Sequence, residues 1–150
     1  MHKVELYRDL AAQLKSLIAG EPDRIANAAN MAALIYHGLP DLNWAGFYFA
    51  NGEELVLGPF QGQPACVRIA WGNGVCGTAA SRATTVLVPD VHEFPGHIAC
   101  DPVSRSELVV PLIEDGKVSG VLDLDSPKLA RFDADDQAGC EQLVRVFLRR

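Results

Sequence analysis

The chain has 150 residues, 49% of them hydrophobic, and 13 basic against 19 acidic side chains give a formal net charge of -6. That is enough chain for a single domain with a full core over residues 1–150, and the acidic balance argues against nucleic acid as a partner. No apolar run approaches the ~20 residues needed to cross a bilayer, and the charged first nine residues lack the apolar stretch of a signal peptide, so a cytoplasmic protein with reduced thiols and no membrane contact is expected.

Leu6, Leu10, Leu14, Leu17 and Ile18 recur at helical spacing over residues 4–19, and Gly20 and Pro22 end that helix. A second, alanine-rich helix is predicted over 23–37, with Ile25, Ala29, Ala32 and Tyr36 on one side and Gly38 as its C-cap glycine. Residues 44–50 read as a strand, Asn51-Gly52 as a turn and 54–58 as the return strand. A short strand at 66–69 and a helix at 75–82 follow, separated by Gly72, Gly74 and Gly77, and then a strand at 85–88. Residues 89–102 form a long loop with three prolines, of the kind that is usually functional or disordered. A second hairpin runs over 106–114 and 117–125 across Asp115-Gly116, and a last helix starts near Asp133 and buries Leu143, Val144 and Phe147. Helices at both ends of two hairpins predict an α+β domain, a mostly antiparallel sheet with helices against it.

Chemistry-bearing residues concentrate in the second half. Cys66, Cys76 and Cys100 are spread as Cys-x9-Cys followed by a gap of 23 residues, with no Cys-x-x-Cys pair. Neither a zinc ribbon nor a thioredoxin-type redox pair is signalled. Scattered thiols suggest one reactive sulfur with resolving partners; burial as small hydrophobic residues is the competing reading, and the one adopted for Cys140. Asp123 and Asp125 project to one face of their strand, and Glu107 lies on the partner strand. The three carboxyl groups can converge on one pocket and raise one another's pKa values, or face solvent while Leu122 and Leu124 take the core. Trp44 and Tyr48, four positions apart, share a strand face as pocket walls or as ordinary core aromatics. The glycines at 74–77 open a helix whose N–H groups suit an anion, or they simply mark turns. His92, His97 and Cys100 are a candidate metal set without a fourth ligand at zinc-like spacing, and the reading adopted is that no metal is bound.

Residues 105–126, Arg105-Ser-Glu-Leu-Val-Val-Pro-Leu-Ile-Glu-Asp-Gly-Lys-Val-Ser-Gly-Val-Leu-Asp-Leu-Asp-Ser126, resemble the hallmark of GAF domains, and Phe132, Asp135 and Asp136 extend the likeness. A narrower resemblance covers the chain from about Leu6 to its end. Asn43-Trp-Ala-Gly-Phe-Tyr48, Gly58-Pro-Phe-Gln-Gly62, Pro64-Ala-Cys66, Gly72-Asn-Gly-Val-Cys-Gly-Thr-Ala79 and His97-Ile-Ala-Cys-Asp101 are similar to the free methionine-(R)-sulfoxide reductases. The resemblance implies a GAF-like fold, a central mostly antiparallel sheet with helices on both faces and a ligand cavity. It implies thiol-dependent reduction of free L-methionine-(R)-S-oxide, with Cys100 as nucleophile, Cys66 as the favoured resolving thiol and Cys76 as an alternate. Glu107 and Asp125 match substrate-site acids, Asp123 a supporting one, and Trp44 and Tyr48 walls for the methyl-sulfur end. His97 and Arg105 would favour the Cys100 thiolate and Asp101 would oppose it. The expected partners are free methionine-(R)-sulfoxide and a thioredoxin-like reductase, with no flavin, metal or nucleotide cofactor and a homodimer through the terminal helices left open. The alternative is a non-catalytic GAF module sensing a small molecule or redox state.

Overall fold

The computed structural model describes residues 2–98 and 100–149, so Ala99 of the 97–101 motif lies outside the described residues. Four helices, α1 (Lys3–Ile18), α2 (Arg24–Gly38), α3 (Gly74–Arg82) and α4 (Ala134–Leu148), flank six strands. The strands are β1 (Trp44–Asn51), β2 (Glu54–Gly62), β3 (Arg68–Ala70), β4 (Val86–Val88), β5 (Ser106–Glu114) and β6 (Lys117–Ser126). They form one antiparallel sheet in the order β3-β2-β1-β6-β5-β4. Among the described residues no helix is long and apolar enough to cross a membrane.

Local chemistry sets these boundaries. Asp23 caps α2 by accepting from the Ala26 N–H at 2.9 Å, and Asp133 and Asp136 form a reciprocal capping box at the start of α4. Asp115 and Gly116 both take left-handed backbone, as a two-residue hairpin turn requires, and bring Glu114 opposite Lys117. Gly38 is not the cap expected of it. It ends α2 with ordinary backbone, Leu39 is the C-cap, and a Cβ at Gly38 would sit 2.7 Å from Leu10 Cδ2; the glycine admits α1.

Strand alternation divides the core in two. One face of the sheet sends Ala45, Phe47, Leu108, Val110, Leu112, Leu122 and Leu124 against α1, α2 and α4, where burying each large side chain contributes about 1.5–3 kcal/mol. Tyr7 ties α1 to α4: its hydroxyl donates to Asp136 Oδ1 at 2.7 Å, and its ring lies against Gly139. The other face carries Trp44, Tyr48, Val109 and Val121 and is covered by α3 and loops. Helices therefore lie on both faces. Leu17 and Ile25, assigned above to apolar faces, are exposed; α1 and α2 present them outside the strip that touches the sheet.

Candidate active site

The floor of the site is written in strand register. Across four strands one row aligns Glu107 with Asp125, Asp125 with Trp44 and Trp44 with Gly62. The adjacent row aligns Val109 with Asp123 and Asp123 with Gly46. Paired residues share a face, so the three carboxyl groups, Trp44 and Tyr48 all point away from the Leu122 and Leu124 side. That face is covered, and Glu107, Asp123 and Asp125 are each no more than 8% exposed. The solvent-facing alternative is thereby excluded.

The walls come from α3 and the long loop. Asn73, Gly74, Val75 and Cys76 at the start of α3, Ala65 and Ile69, and His97, Ile98, Cys100, Asp101 and Ser104 close over the floor. The cavity they leave has a volume of about 40 Å3, room for a few water molecules. At its edge Cys66 and Cys100, both half-buried, form a disulfide with Cα atoms 5.5 Å apart. Cys76 remains a free thiol, buried in the wall, with its sulfur 3.9 Å from Glu107 Oε2. Gly77 is held by packing, since a Cβ there would lie 2.5 Å from the Ala70 carbonyl. Its N–H donates to Asn73 O, so the helix opening available to an anion narrows to residues 74–76.

Polar anchors fix the segments that carry the two bonded cysteines. Asn43 Nδ2 donates to Asp101 Oδ2 and to Ser104 Oγ, both at 3.0 Å, and so holds the Cys100 loop to the start of β1. The Tyr48 hydroxyl donates to the Cys66 carbonyl at 2.8 Å, and the Trp44 indole N–H donates to Gln63 O at 3.1 Å. Tyr48 thus positions the Cys66 segment as well as lining the cavity. Its hydroxyl stays protonated, with its pKa pushed far up by burial and then by the carboxyl cluster.

The electrostatics favour protons over charges. Burial first, and then the charges of Asp123 and Asp125, hold the Glu107 carboxyl well above the usual carboxylate range. Burial and then Asp123 do the same to Asp125. Burial raises Asp123 too, against the opposing effect of its contacts with Glu107 and Cys76. One of its oxygens, Oδ1, is buried with no hydrogen-bond partner. Burial and then Asp123 and Glu107 push the Cys76 thiol up, so it is protonated at neutral pH. His97 is shifted down from 6.5 by burial and then by His92, and is neutral at pH 7; it supplies no cation to the Cys100 sulfur. Arg105 has an exposed side chain.

All the predicted cavity residues therefore meet: Trp44, Tyr48, Cys76, Cys100, Glu107, Asp123 and Asp125 line one space, and Cys66 closes it through its bond to Cys100. The set His92, His97 and Cys100 does not form a ligand cluster: the Cys100 sulfur is bonded to Cys66, His92 is exposed, and the two rings stand 6.5 Å apart. Asn43 and Ser104 carry no role in the sequence reading. Asn43 sits directly before the apolar run of β1, where a polar side chain reads as a turn residue.

A GAF-domain family model matches residues 23–149. The free methionine-R-sulfoxide reductase of Escherichia coli is 51% identical over 144 residues, 96% of this chain and 87% of that protein. The structure of free methionine-R-sulfoxide reductase from Neisseria meningitidis in complex with its substrate superposes with a TM-score of 0.96 at 46% identity, covering 99% of this chain and 90% of that one. A crystal structure described as a putative GAF sensor protein from Burkholderia vietnamiensis gives a TM-score of 0.95 at 64% identity, over 98% and 94% of the two chains. The chain belongs to the GAF-domain family and, within it, to the free methionine-R-sulfoxide reductases.

Proposed function

We propose that the protein reduces free L-methionine-(R)-S-oxide to L-methionine with two thiols of its own. The observation that carries this reading is the Cys66–Cys100 disulfide at the edge of a cavity floored by three buried carboxyl groups. A module that only holds a ligand has no use for an oxidisable pair placed there.

In the reduced protein the Cys100 thiolate attacks the sulfoxide sulfur. The oxygen gains negative charge and takes a proton from the acid cluster, where Glu107 and Asp125 are held protonated by burial and by their neighbours' charges. The attack joins the two sulfurs; the oxygen then passes from the substrate sulfur to Cys100 Sγ, the bond between the sulfurs breaks with its electron pair going to the substrate sulfur, and methionine leaves with Cys100 as a sulfenic acid. The Cys66 thiolate then attacks the Cys100 sulfur, the oxygen departs as water with a second proton, and the disulfide forms. Both electrons come from the two thiols, so the step needs no flavin, metal or nucleotide. Cys76 is the alternate resolving thiol; its protonation favours Cys66 for that role.

Substrate choice follows from the same walls. The unpartnered Asp123 oxygen suits the ammonium group, the N–H groups of residues 74–76 suit the carboxylate, and Trp44 and Tyr48 bound the methyl-sulfur end. Binding both termini of a free amino acid excludes a methionine sulfoxide inside a peptide. The cavity of the disulfide form is too small for that ligand, so substrate enters when the bond is open and the Cys100 segment is released. A dithiol protein of the thioredoxin class would restore the thiols by exchange, as in a reducing compartment such as the cytoplasm. The terminal helices α1 and α4 are the surfaces through which two copies would pair.

The test is turnover with dithiothreitol on separated epimers. The free R epimer is reduced, and the S epimer and peptide-bound substrate are not. Cys100→Ser abolishes the reaction under every reductant, while Cys66→Ser mainly impairs recycling by thioredoxin. Normal turnover in Cys100→Ser would refute the assignment of the nucleophile.

A further inference from the structure

We propose that Cys76, Glu107 and Asp123 form a binding site for a thiophilic divalent cation of the zinc class, available in the disulfide form of the protein. These residues come from three elements, α3, β5 and β6, and each offers one buried ligand atom, all within 4.8 Å of one another. The separation of Cys76 Sγ from Glu107 Oε2, 3.9 Å, is close to the ~3.5 Å between sulfur and oxygen ligands on one tetrahedral zinc. A second observation points to the same place. Asp123 is 5% exposed and lines the cavity, and its Oδ1 has no hydrogen-bond partner. A buried acceptor left unmatched there calls for a positive or donating ligand.

The donor set selects the class of ion. One sulfur with two carboxylate oxygens suits a borderline-soft cation. Calcium needs six to eight oxygens and magnesium keeps several of its own waters, and a cavity of this size has room for neither shell. Binding replaces the thiol and carboxyl protons by the cation, and those protons leave to solvent. The cavity of about 40 Å3 holds an ion with a water in its fourth position, but no amino acid. In the disulfide form the cation therefore meets no competitor. In the reduced form it excludes the amino acid, whose ammonium group needs the same Asp123 carboxylate; that exclusion rests on the proposed activity, whereas the binding itself does not.

Cadmium reports the site without any activity measurement, through its thiolate charge-transfer absorption. In the disulfide form the free thiols among the described residues are Cys76 and Cys140. Titrating the disulfide protein with cadmium should give a band that saturates at one ion per chain, is lost in Cys76→Ser and is retained in Cys140→Ser. Asp123→Asn, which keeps the shape of the wall, should weaken binding at least about tenfold. Absence of a band, a band that survives Cys76→Ser, or unchanged affinity in Asp123→Asn would overturn the proposal. Circular dichroism establishes that each variant is folded; should Cys76→Ser not fold, the Asp123→Asn titration decides. Failure of the reductase reading would leave this titration unchanged, so the two are separable.

Discussion

In the proposed mechanism the proton comes from the acid cluster, and Glu107 is the first residue at which to test it. Its strand position opposite Asp125 and its burial keep it protonated where a surface glutamate would be ionised. Glu107→Gln keeps the shape and removes the acid. We expect kcat on the free R epimer with dithiothreitol to fall by about 10²–10⁴ with the circular dichroism unchanged; an unaltered kcat would assign the proton to Asp125 instead. The sequence put the three acidic side chains on one face, because period-two alternation and a turn of known length fix which side chains face one another, but it left open whether that face is covered. It could not announce Asn43, whose partners Asp101 and Ser104 lie some sixty residues away on an irregular loop. Nor could it show the bond from the Tyr48 hydroxyl to a backbone carbonyl, because a backbone atom leaves no mark in residue type. The pairing of Cys66 with Cys100 came from the family resemblance alone: the residue types are visible, but without that resemblance which sulfurs meet depends on how the loop closes.

At the scale of elements, the two hairpins were the most legible part of the chain, each declared by a turn dipeptide between apolar runs. The continuation of β2 from Gly58 to Gly62 was not. Gly-Pro-Phe-Gln-Gly reads as a breaker, yet a bulge sets Gly58 and Pro59 against the single residue Phe47 and resumes pairing at Phe60. That continuation brings Gln63 O to the Trp44 indole. Helix packing was legible as amphipathic spacing but not as contact. Gly139 looks like a weak point in α4, whereas a Cβ there would meet the Tyr7 ring at 2.1 Å. Gly139→Ala should therefore lower stability by about 1–3 kcal/mol through overpacking, rather than raise it as in an exposed helix. Urea unfolding with an unchanged slope and a lowered midpoint would show this; a raised midpoint would contradict it.

For the whole molecule, the buried acids make stability depend on pH. Glu107 and Asp125 bind their protons in the folded state well above the ordinary carboxylate range of 4.5 and 3.8. The unfolded chain loses them in that range, so above it the folded state holds more protons. Stability is then full below the unfolded values and falls as pH rises toward the folded ones, by up to about 1.4 kcal/mol per pH unit for each proton. His97, shifted down from 6.5, acts in the opposite sense, adding stability as pH rises through its window. Comparison with Asp125→Asn, in which His97 is retained, isolates the acids: the fall in thermal midpoint between about pH 5 and about pH 8 should be shallower in the variant, and an identical slope would contradict the account. Such a fold spends stability to keep protons beside a cavity, which is what an acceptor of sulfoxide oxygen requires. The most direct check of that purpose is a single turnover without external reductant. Fully reduced protein mixed with the free R epimer should release one methionine per chain, and peptide mapping should recover a Cys66–Cys100 disulfide in equal amount. Methionine released while both of those thiols remain free would contradict the account.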